Sequence, residues 1–338
     1  MKKLTPILII GLIIVVLGCA IIALLIWSRP LGPALTLATQ APPIQPTATT
    51  RAIQAQPTAT PRSVEQIEGA CGGSGVATLL LLGESSPEDI PHRGADAIRL
   101  MKVDFDQETV AVLAIPPDLW VQTPALKKLG ISETTLTVLY WEVKQATQGS
   151  EKHKMVEATQ AFAQTLADNW GYSPDHYLTV SQPRFAETVD TLGGIEISLP
   201  ETLDATPEGH GVFPAGKQRL DGQRVVDFVR VLAPASGGGS GEWARFARQN
   251  QALRAILAAV LARENWPKIP DLARQFSNVV ATDLSVRQMS DLICMVQKAG
   301  NTAAYAEIPP EVITMDSAGR QIADVEEVKK LLELVKGK

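Results

Sequence analysis

The hydrophobic positions divide the chain into three parts of different character. Residues 7–27 form an unbroken run of 21 uncharged residues, nearly all apolar. As a helix that rises 1.5 Å per residue, this run would be about 31 Å long, which matches the roughly 30 Å core of a bilayer. Residues 28–68 are rich in Pro, Thr, Ala and Gln, and short apolar runs separated by turn residues begin only after them.

The apolar run predicts one transmembrane helix behind a short cytoplasmic tail, residues 1–6. Lys2 and Lys3 precede the run, and positively charged flanks stay in the cytoplasm. A lipoprotein signal ending at Cys19 is the alternative interpretation, but eight further apolar residues follow Cys19 and favour an uncleaved anchor. We therefore expect a single-pass protein of the cell membrane whose remaining chain is extracytoplasmic.

The composition of residues 28–68 predicts a disordered linker, because a segment with so few apolar side chains cannot form a core. From residue 69 to 338, apolar runs alternate with helical patterns. This order predicts an α/β domain with three layers, α/β/α, around a mixed central sheet. Strands are expected at about 76–82, 97–103, 110–115, 176–180 and 195–199, and helices at about 154–170, 184–191, 221–231, 242–262, 272–279, 286–298 and 325–335.

Charge and cysteine content narrow the function classes. The net charge of −5 gives no overall attraction to a phosphate polyanion, so a nucleic-acid partner is not expected. Four scattered histidines and three cysteines do not have the spacing of a zinc site. Cys71 and Cys294 are the only cysteines after the apolar run, and the sequence leaves open whether they form a disulfide or remain two unpaired thiols.

One stretch reverses the acidic balance of the chain. Between Phe213 and Arg254 there are seven basic residues and only three acidic ones. The spacing of Arg245, Arg248 and Gln249 places them on one face of a predicted helix that begins near Glu242. Arginine forks bind phosphate oxygens with paired hydrogen bonds, which suits a pyrophosphate, although a solvated, salt-bridged helix face explains the same spacing.

Seven short motifs follow one another along the predicted domain. They are Leu79–Gly83, Ile115–Val121, Asp190–Ile197, Phe213–Gly216, Leu220–Gln223, Phe228–Arg230 and Arg245–Gln249. Each motif is weak alone, but their order behind one anchor and a linker is specific. In this order they resemble the LytR-CpsA-Psr family of cell-envelope proteins.

The resemblance implies an extracytoplasmic phosphotransferase of cell-wall assembly. Such an enzyme moves a glycopolymer from a polyprenyl pyrophosphate carrier to peptidoglycan with the help of magnesium or another divalent cation. By position, the resemblance implies three groups of site residues. Arg230, Arg245 and Arg248 correspond to catalytic arginines, Gln249, Asp118, Lys217 and Arg93 to substrate-binding residues, and Asp96 and Glu84 to metal ligands.

The chain departs from the family pattern at several site positions. Ser85 and Gly94 replace an aspartate and an arginine, and Pro117 and Leu232 replace two further arginines. Glu84, Arg93 and Lys217 are neighbours that would take over these charges. A transferase is the favoured hypothesis; the alternative is a non-catalytic scaffold or regulator that binds polyprenyl-linked glycan or peptidoglycan, and a lipid pyrophosphate hydrolase is a third.

Overall fold

The strands and helices are described from a computed structural model, which covers residues 28–38, 71–85, 94–233, 241–268, 272 and 280–337. The strands of these residues are β1 (Val76–Glu84), β2 (Ala95–Asp104), β3 (Thr109–Ile115), β4 (Trp120–Gln122), β5 (Glu133–Thr135), β6 (His176–Ser181), β7 (Ile195–Leu199), β8 (Leu203–Ala205), β9 (Gly211–Phe213), β10 (Gly216–Leu220), β11 (Val280–Thr282), β12 (Ala304–Glu307), β13 (Ile313–Met315) and β14 (Gln321–Ala323). The α-helices are α1 (Leu136–Ala146), α2 (Glu151–Trp170), α3 (Gln182–Leu192), α4 (Gly222–Arg230), α5 (Glu242–Leu261), α6 (Val286–Ala299) and α7 (Val325–Leu332).

Six strands form the central sheet in the order β11-β6-β1-β2-β3-β12. The pairs β1–β6 and β3–β12 are parallel, whereas β1–β2, β2–β3 and β6–β11 are antiparallel. The sheet is therefore mixed, as the sequence predicts. Strand β1 is apolar on both of its faces because helices cover the sheet on both sides.

The two faces of the sheet have separate cores. On the first face, alternate residues such as Leu80 and Leu100 pack with Leu139 of α1 and Phe162 of α2. On the second face, residues such as Leu79 and Met101 pack with Met295 of α6. These layers confirm the predicted α/β architecture with a mixed central sheet.

A third core lies under α3, α4 and α5 together with the ribbons β7–β10 and β8–β9. The buried rings of Phe213 and Phe228 meet edge to face there, with centroids 5.4 Å apart. The predicted strand at residues 195–199 belongs to this region and pairs with β10 rather than with the central sheet. This unit holds α5 against the second face of the sheet.

Helix ends follow signals that can be read locally. Ser150 caps α2 by accepting a hydrogen bond from the His153 backbone, and Gly171 ends the helix with a φ of 67°. Ser285 and Gln288 form a capping box at the start of α6. The predicted helices at 154–170, 184–191, 221–231, 242–262, 286–298 and 325–335 are confirmed within a few residues, whereas 273–279 lie outside the described residues.

Cys71 and Cys294 form a disulfide, with their Cα atoms 5.5 Å apart. The bond joins the start of the domain to α6 across 223 positions of sequence. Of the two alternatives that the sequence leaves open, the structure therefore shows the cross-link.

The predicted linker needs a correction over residues 28–38, because this segment lies against the domain in an extended conformation. The Leu31 backbone donates to the Leu284 carbonyl at 3.1 Å. Two glutamines one turn apart on α2 bind the segment further along. Gln160 exchanges hydrogen bonds with both backbone groups of Thr36, and Gln164 accepts from the Ala38 backbone at 2.7 Å. Leu35 and Leu37 also pack against the first-face core, so apolar contacts and polar side chains of the domain together order this segment.

No helix in the part of the chain that the structure describes has the length and apolar character to cross a bilayer. The predicted span at 7–27 and the tail before it lie outside the described residues.

Candidate active site

A cavity of about 240 Å³ lies between the second face of the central sheet and the helices α3, α4 and α5. Most of its lining is aliphatic or aromatic, which suits a hydrocarbon ligand. The apolar residues of the lining include Leu81, Leu178 and Val180 from the sheet and Phe185, Val229, Ala252, Leu253 and Ile256 from the helices.

Three arginines line the same cavity: Arg99 on β2, Arg230 at the end of α4 and Arg245 on α5. Arg245 is only 5% exposed. Its Nη2 donates to the carboxylate of Glu242 and, at 3.4 Å, to the backbone carbonyl of Asp96. Its Nε is buried and makes no hydrogen bond to the described residues, so one donor remains available to a ligand.

Helix α5 presents Gln249 one turn after Arg245, and both line the cavity. The Gln249 Oε1 accepts a hydrogen bond from Arg99 Nη2 at 2.5 Å. Its Nε2 donates to the Val229 carbonyl at 3.4 Å. The predicted face of α5 therefore brings two of its three polar residues into the cavity.

Arg248 is the third predicted residue of that face, and the cavity lining does not include it. Its Nη1 donates to the Val231 carbonyl at 2.7 Å, and its Nη2 donates to the Ala233 carbonyl. Burial lowers the pKa of Arg248, and Glu208 acts against this shift. Arg248 thus holds the residues directly after α4, the helix that ends at Arg230.

Sequence reasoning missed Arg99, which is only 7% exposed in the middle of β2. Its guanidinium lies 4.6 Å from the centroid of the Phe246 ring and donates to the Ile98 carbonyl at 2.9 Å. Burial, together with repulsion from Arg245, lowers the pKa of Arg99 to about 9, which leaves it cationic at neutral pH. The available signal was a single arginine inside a buried apolar strand, where charged residues are rare.

Glu84 also borders the cavity, but its carboxylate is already bound by the first-face helix α1. Lys144 Nζ lies 2.6 Å from Glu84 Oε1, and the Tyr140 hydroxyl donates to Oε2 at 3.0 Å. Burial raises the pKa of Glu84, and Lys144 opposes that rise. Burial disfavours the Lys144 ammonium, but Glu84 and Glu151 outweigh it and raise the pKa of Lys144.

The two predicted metal ligands therefore differ in their fit to a divalent cation. Asp96 lines the cavity, where Thr137 donates to its Oδ1 at 3.4 Å, and a carboxylate is the kind of oxygen ligand that magnesium prefers. Glu84 does not fit, because the Lys144 ammonium occupies its Oε1. No group of three potential ligands occurs among the described residues, so other ligands would have to come from substrate or water.

The remaining predicted site residues lie elsewhere. Asp118 is in the turn after β3 and is half buried outside the cavity lining. Lys217 is exposed on β10 and pairs with Glu196 at 3.1 Å, away from the cavity. Arg93 lies outside the described residues.

The substitutions at Ser85 and Gly94 belong to one local arrangement. The Ser85 backbone and hydroxyl both donate to the Gly94 carbonyl, at 2.7 and 3.1 Å. A Cβ at Gly94 would lie 2.6 Å from the backbone nitrogen of Trp141 and 2.9 Å from the backbone carbonyl oxygen of Thr137. Position 94 therefore excludes any side chain, an arginine included, unless α1 moves.

The named relatives of this chain include a cell wall biosynthesis protein and teichoic acid transferases. Among named relatives, the chain is 24% identical to the cell wall biosynthesis protein LcpA of Corynebacterium glutamicum, over 68% of this chain and 45% of that protein. It is 22% identical to the polyisoprenyl-teichoic acid–peptidoglycan teichoic acid transferase TagU of Enterococcus faecalis, over 77% of this chain and 78% of that protein. The chain thus spans less than half the length of LcpA and most of that TagU.

Solved structures show the same fold. Bacillus subtilis TagU superimposes with a TM-score of 0.54 at 19% identity, covering 78% of this chain and 99% of that one. A structure described as TagT bound to LI-WTA gives a TM-score of 0.53 at 16% identity, over 82% and 99% of the two chains. The sequence profile of the LytR_cpsA_psr family matches residues 46–336. The chain therefore belongs to the LytR-CpsA-Psr family.

Proposed function

We propose that this protein is a membrane-anchored, extracytoplasmic phosphotransferase that moves a glycopolymer from a polyprenyl pyrophosphate carrier to peptidoglycan. The observation that supports this proposal most strongly is the combination of a buried arginine cluster with an apolar cavity. One ligand with a charged head and a hydrocarbon tail satisfies both, and a polyprenyl pyrophosphate has these parts. Named relatives of the family are teichoic acid transferases, which agrees with the proposal.

The arginines account for binding and for rate acceleration. In the proposed reaction, an acceptor hydroxyl attacks the phosphorus that carries the glycan, and a new P–O bond forms as the hydroxyl passes its proton to solvent water. The bridging P–O bond breaks, and its electron pair leaves with the polyprenyl monophosphate. Arg245, held by Glu242, is oriented before substrate binds and stabilises charge that develops on phosphate oxygens.

Asp96 is the residue that would hold magnesium beside the pyrophosphate, and Glu84 is excluded from that role by its ion pair with Lys144. A divalent cation at Asp96 would neutralise phosphate charge as a Lewis acid. Asp96 and Arg245 lie close together, since the Arg245 guanidinium donates to the Asp96 backbone carbonyl. Carboxylate and guanidinium therefore border the same end of the cavity.

The proposed place of action follows from the sequence. The apolar run at 7–27 would anchor the chain in the cell membrane, with the domain outside and close to a carrier lipid. The disulfide between Cys71 and Cys294 agrees with an oxidising compartment.

The test uses the full-length protein in detergent with a polyprenyl pyrophosphate-linked sugar, magnesium and a peptidoglycan acceptor. We expect acceptor-dependent release of polyprenyl monophosphate, and a loss of about 10²- to 10³-fold in Arg245→Ala, the scale for removing one preorganised transition-state donor. Arg254→Ala is the matched control, because Arg254 is exposed on the same helix and stacks on Tyr305. Tight binding of the lipid without release would indicate the non-catalytic binding protein instead, and release without acceptor a hydrolase.

A further inference from the structure

Arg99 has a position that packing alone does not explain. It lies in the centre of the sheet, paired with Leu81 on β1 and with Ala114 on β3. Its side chain leaves the sheet on the cavity side, between apolar neighbours that include Leu81 and Ala97. An aliphatic residue would fill such a site without the cost of burying a charge.

No carboxylate contacts the Arg99 guanidinium directly, although the charges of Glu307 and Glu242 oppose the lowering of its pKa. Its guanidinium contacts are the Gln249 side-chain oxygen, the Ile98 carbonyl and the face of the Phe246 ring, and none of them is a carboxylate. Arg245 lies near enough that repulsion between the two cations contributes to the lowered pKa of Arg99. Two buried cations side by side, one of them with an unused buried donor, form a site that an anion would stabilise.

The order of the charged groups along the cavity suggests which part of the anion each one meets. Asp96 begins the cavity-lining part of β2, and Arg99 lies three residues further on, about 10 Å along the strand. Arg245 bridges the interval, since it donates to the Asp96 carbonyl and repels Arg99. The sequence of groups is therefore Asp96, then Arg245, then Arg99 beside the apolar lining.

We propose that Arg99 is a second substrate-contacting residue, which binds the phosphate attached directly to the lipid, while Arg245 binds the phosphate that carries the glycan. Gln249 orients the Arg99 guanidinium through its side-chain oxygen. Arg99 projects from the central sheet. It supplies a cation in a chain that has Gly94 and Pro117 at two positions where the family pattern has arginines. This inference rests on the proposed function, because it assigns the leaving phosphate of that reaction.

The test measures binding of farnesyl monophosphate, which carries a lipid and one phosphate, to the full-length protein in detergent. Arg99→Met keeps the length of the side chain and removes its charge. We expect the dissociation constant to rise about 10- to 100-fold, the scale of a charged hydrogen bond, and Arg99→Lys to recover part of the loss. Arg254→Met, which removes a charge from the exposed side of α5, should leave the dissociation constant unchanged.

Thermal stability distinguishes binding from a structural role. If Arg99 binds the lipid phosphate, the melting temperature of Arg99→Met changes little, because removal of a buried charge that no carboxylate contacts offsets the loss of its two hydrogen bonds. A lower melting temperature with unchanged farnesyl monophosphate affinity would overturn the inference. So would a loss of affinity in Arg99→Met that Arg99→Lys does not recover at all.

Two further probes separate this inference from the proposed function. Inorganic phosphate alone should bind far more weakly than farnesyl monophosphate, whereas equal affinity would contradict a lipid-phosphate site. If the parent protein binds no lipid phosphate, the proposed function fails and the inference fails with it. If Arg245→Ala abolishes transfer while Arg99→Met retains full affinity and full transfer, only the assignment of Arg99 fails.

Discussion

Glu84 and Arg99 are buried ionisable residues on neighbouring strands of one sheet, yet their surroundings differ completely. On the first face, Glu84 receives an ammonium from Lys144 and a hydroxyl from Tyr140, so its charge and its hydrogen bonds are satisfied within the protein. On the second face, the Arg99 guanidinium contacts an amide, a carbonyl and an aromatic ring, and the charges of Arg245, Glu307 and Glu242 act on it without direct contact. Both residues border the same cavity.

This difference indicates which charged residues stabilise the fold and which are available to bind a ligand. A buried charge that is fully paired contributes to the folded state and has little left to offer a ligand. A buried charge that no counter-ion contacts directly is costly until an anion arrives, and this cost favours binding. The arginine side of the cavity is therefore where we expect chemistry, and the Glu84 side is where we expect stability.

Breaking the Glu84 ion pair should give the largest change in stability. Lys144→Met leaves a buried carboxylate without its cation, and we expect the free energy of unfolding to fall by about 3–5 kcal/mol, measured by urea denaturation. Adding Glu84→Gln in the same chain should recover much of the loss. A fall below about 1 kcal/mol, the scale of an exposed pair, would show that this pair is not part of the scaffold.

Removing Arg245 should affect activity more than stability, because the Glu242 carboxylate that loses its cation lies in the first turn of α5, where the helix N-terminus still stabilises it. Arg245→Ala is expected to raise the activation barrier of transfer by about 2.7–4 kcal/mol. The measurement is the initial rate of polyprenyl monophosphate release, with the urea midpoint as its companion. A large loss of stability with proportionate loss of rate would place Arg245 in the scaffold.

Arg248 is the intermediate case, since it is a predicted catalytic arginine that the structure engages elsewhere. Arg248→Met leaves the Val231 and Ala233 carbonyls without their donor, so we expect about 1–3 kcal/mol of lost stability. Farnesyl pyrophosphate affinity should change far less than in Arg245→Ala. Equal losses of affinity in the two variants would show that Arg248 is a ligand-binding residue after all.

The smallest expected effect concerns a third paired group, His176 on β6. Its Nδ1 lies 3.0 Å from Asp283 Oδ2, and this hydrogen bond raises the pKa of His176 above its ordinary value of 6.5. Because the folded protein holds the proton more tightly, this stabilisation is complete below that ordinary pKa and is lost as pH rises through the folded value. His176→Gln should flatten stability across that window in urea titrations at successive pH values; an unchanged pH profile would contradict the assignment.

The amphipathic spacing of α5 predicted Arg245 and Gln249 correctly as residues of one face, because helix periodicity is local. It could not separate Arg248, whose position depends on the chain leaving α4. The sequence also did not indicate that Lys144 lies against Glu84, since 60 residues separate them and only the packing of α1 on the sheet brings them together.

The docked segment at 28–38 shows a similar limit. Its composition predicts disorder, and that prediction considers only what the segment can bury by itself. The order comes from the rest of the domain, because Leu35 and Leu37 pack against the first-face core and the Gln160 and Gln164 amides bind the segment's backbone. The composition of residues 28–68 as a whole does not show that two leucines near its start meet an apolar surface of the domain.

We propose that one ligand occupies both the arginine cluster and the apolar cavity. Calorimetric titration of the full-length protein tests this directly. Farnesyl pyrophosphate, inorganic pyrophosphate and farnesol would be titrated separately under identical detergent and magnesium conditions. The account predicts that farnesyl pyrophosphate binds much more tightly than either of its parts, and that Arg245→Ala removes most of this advantage. Equal affinity for farnesol and farnesyl pyrophosphate would contradict it.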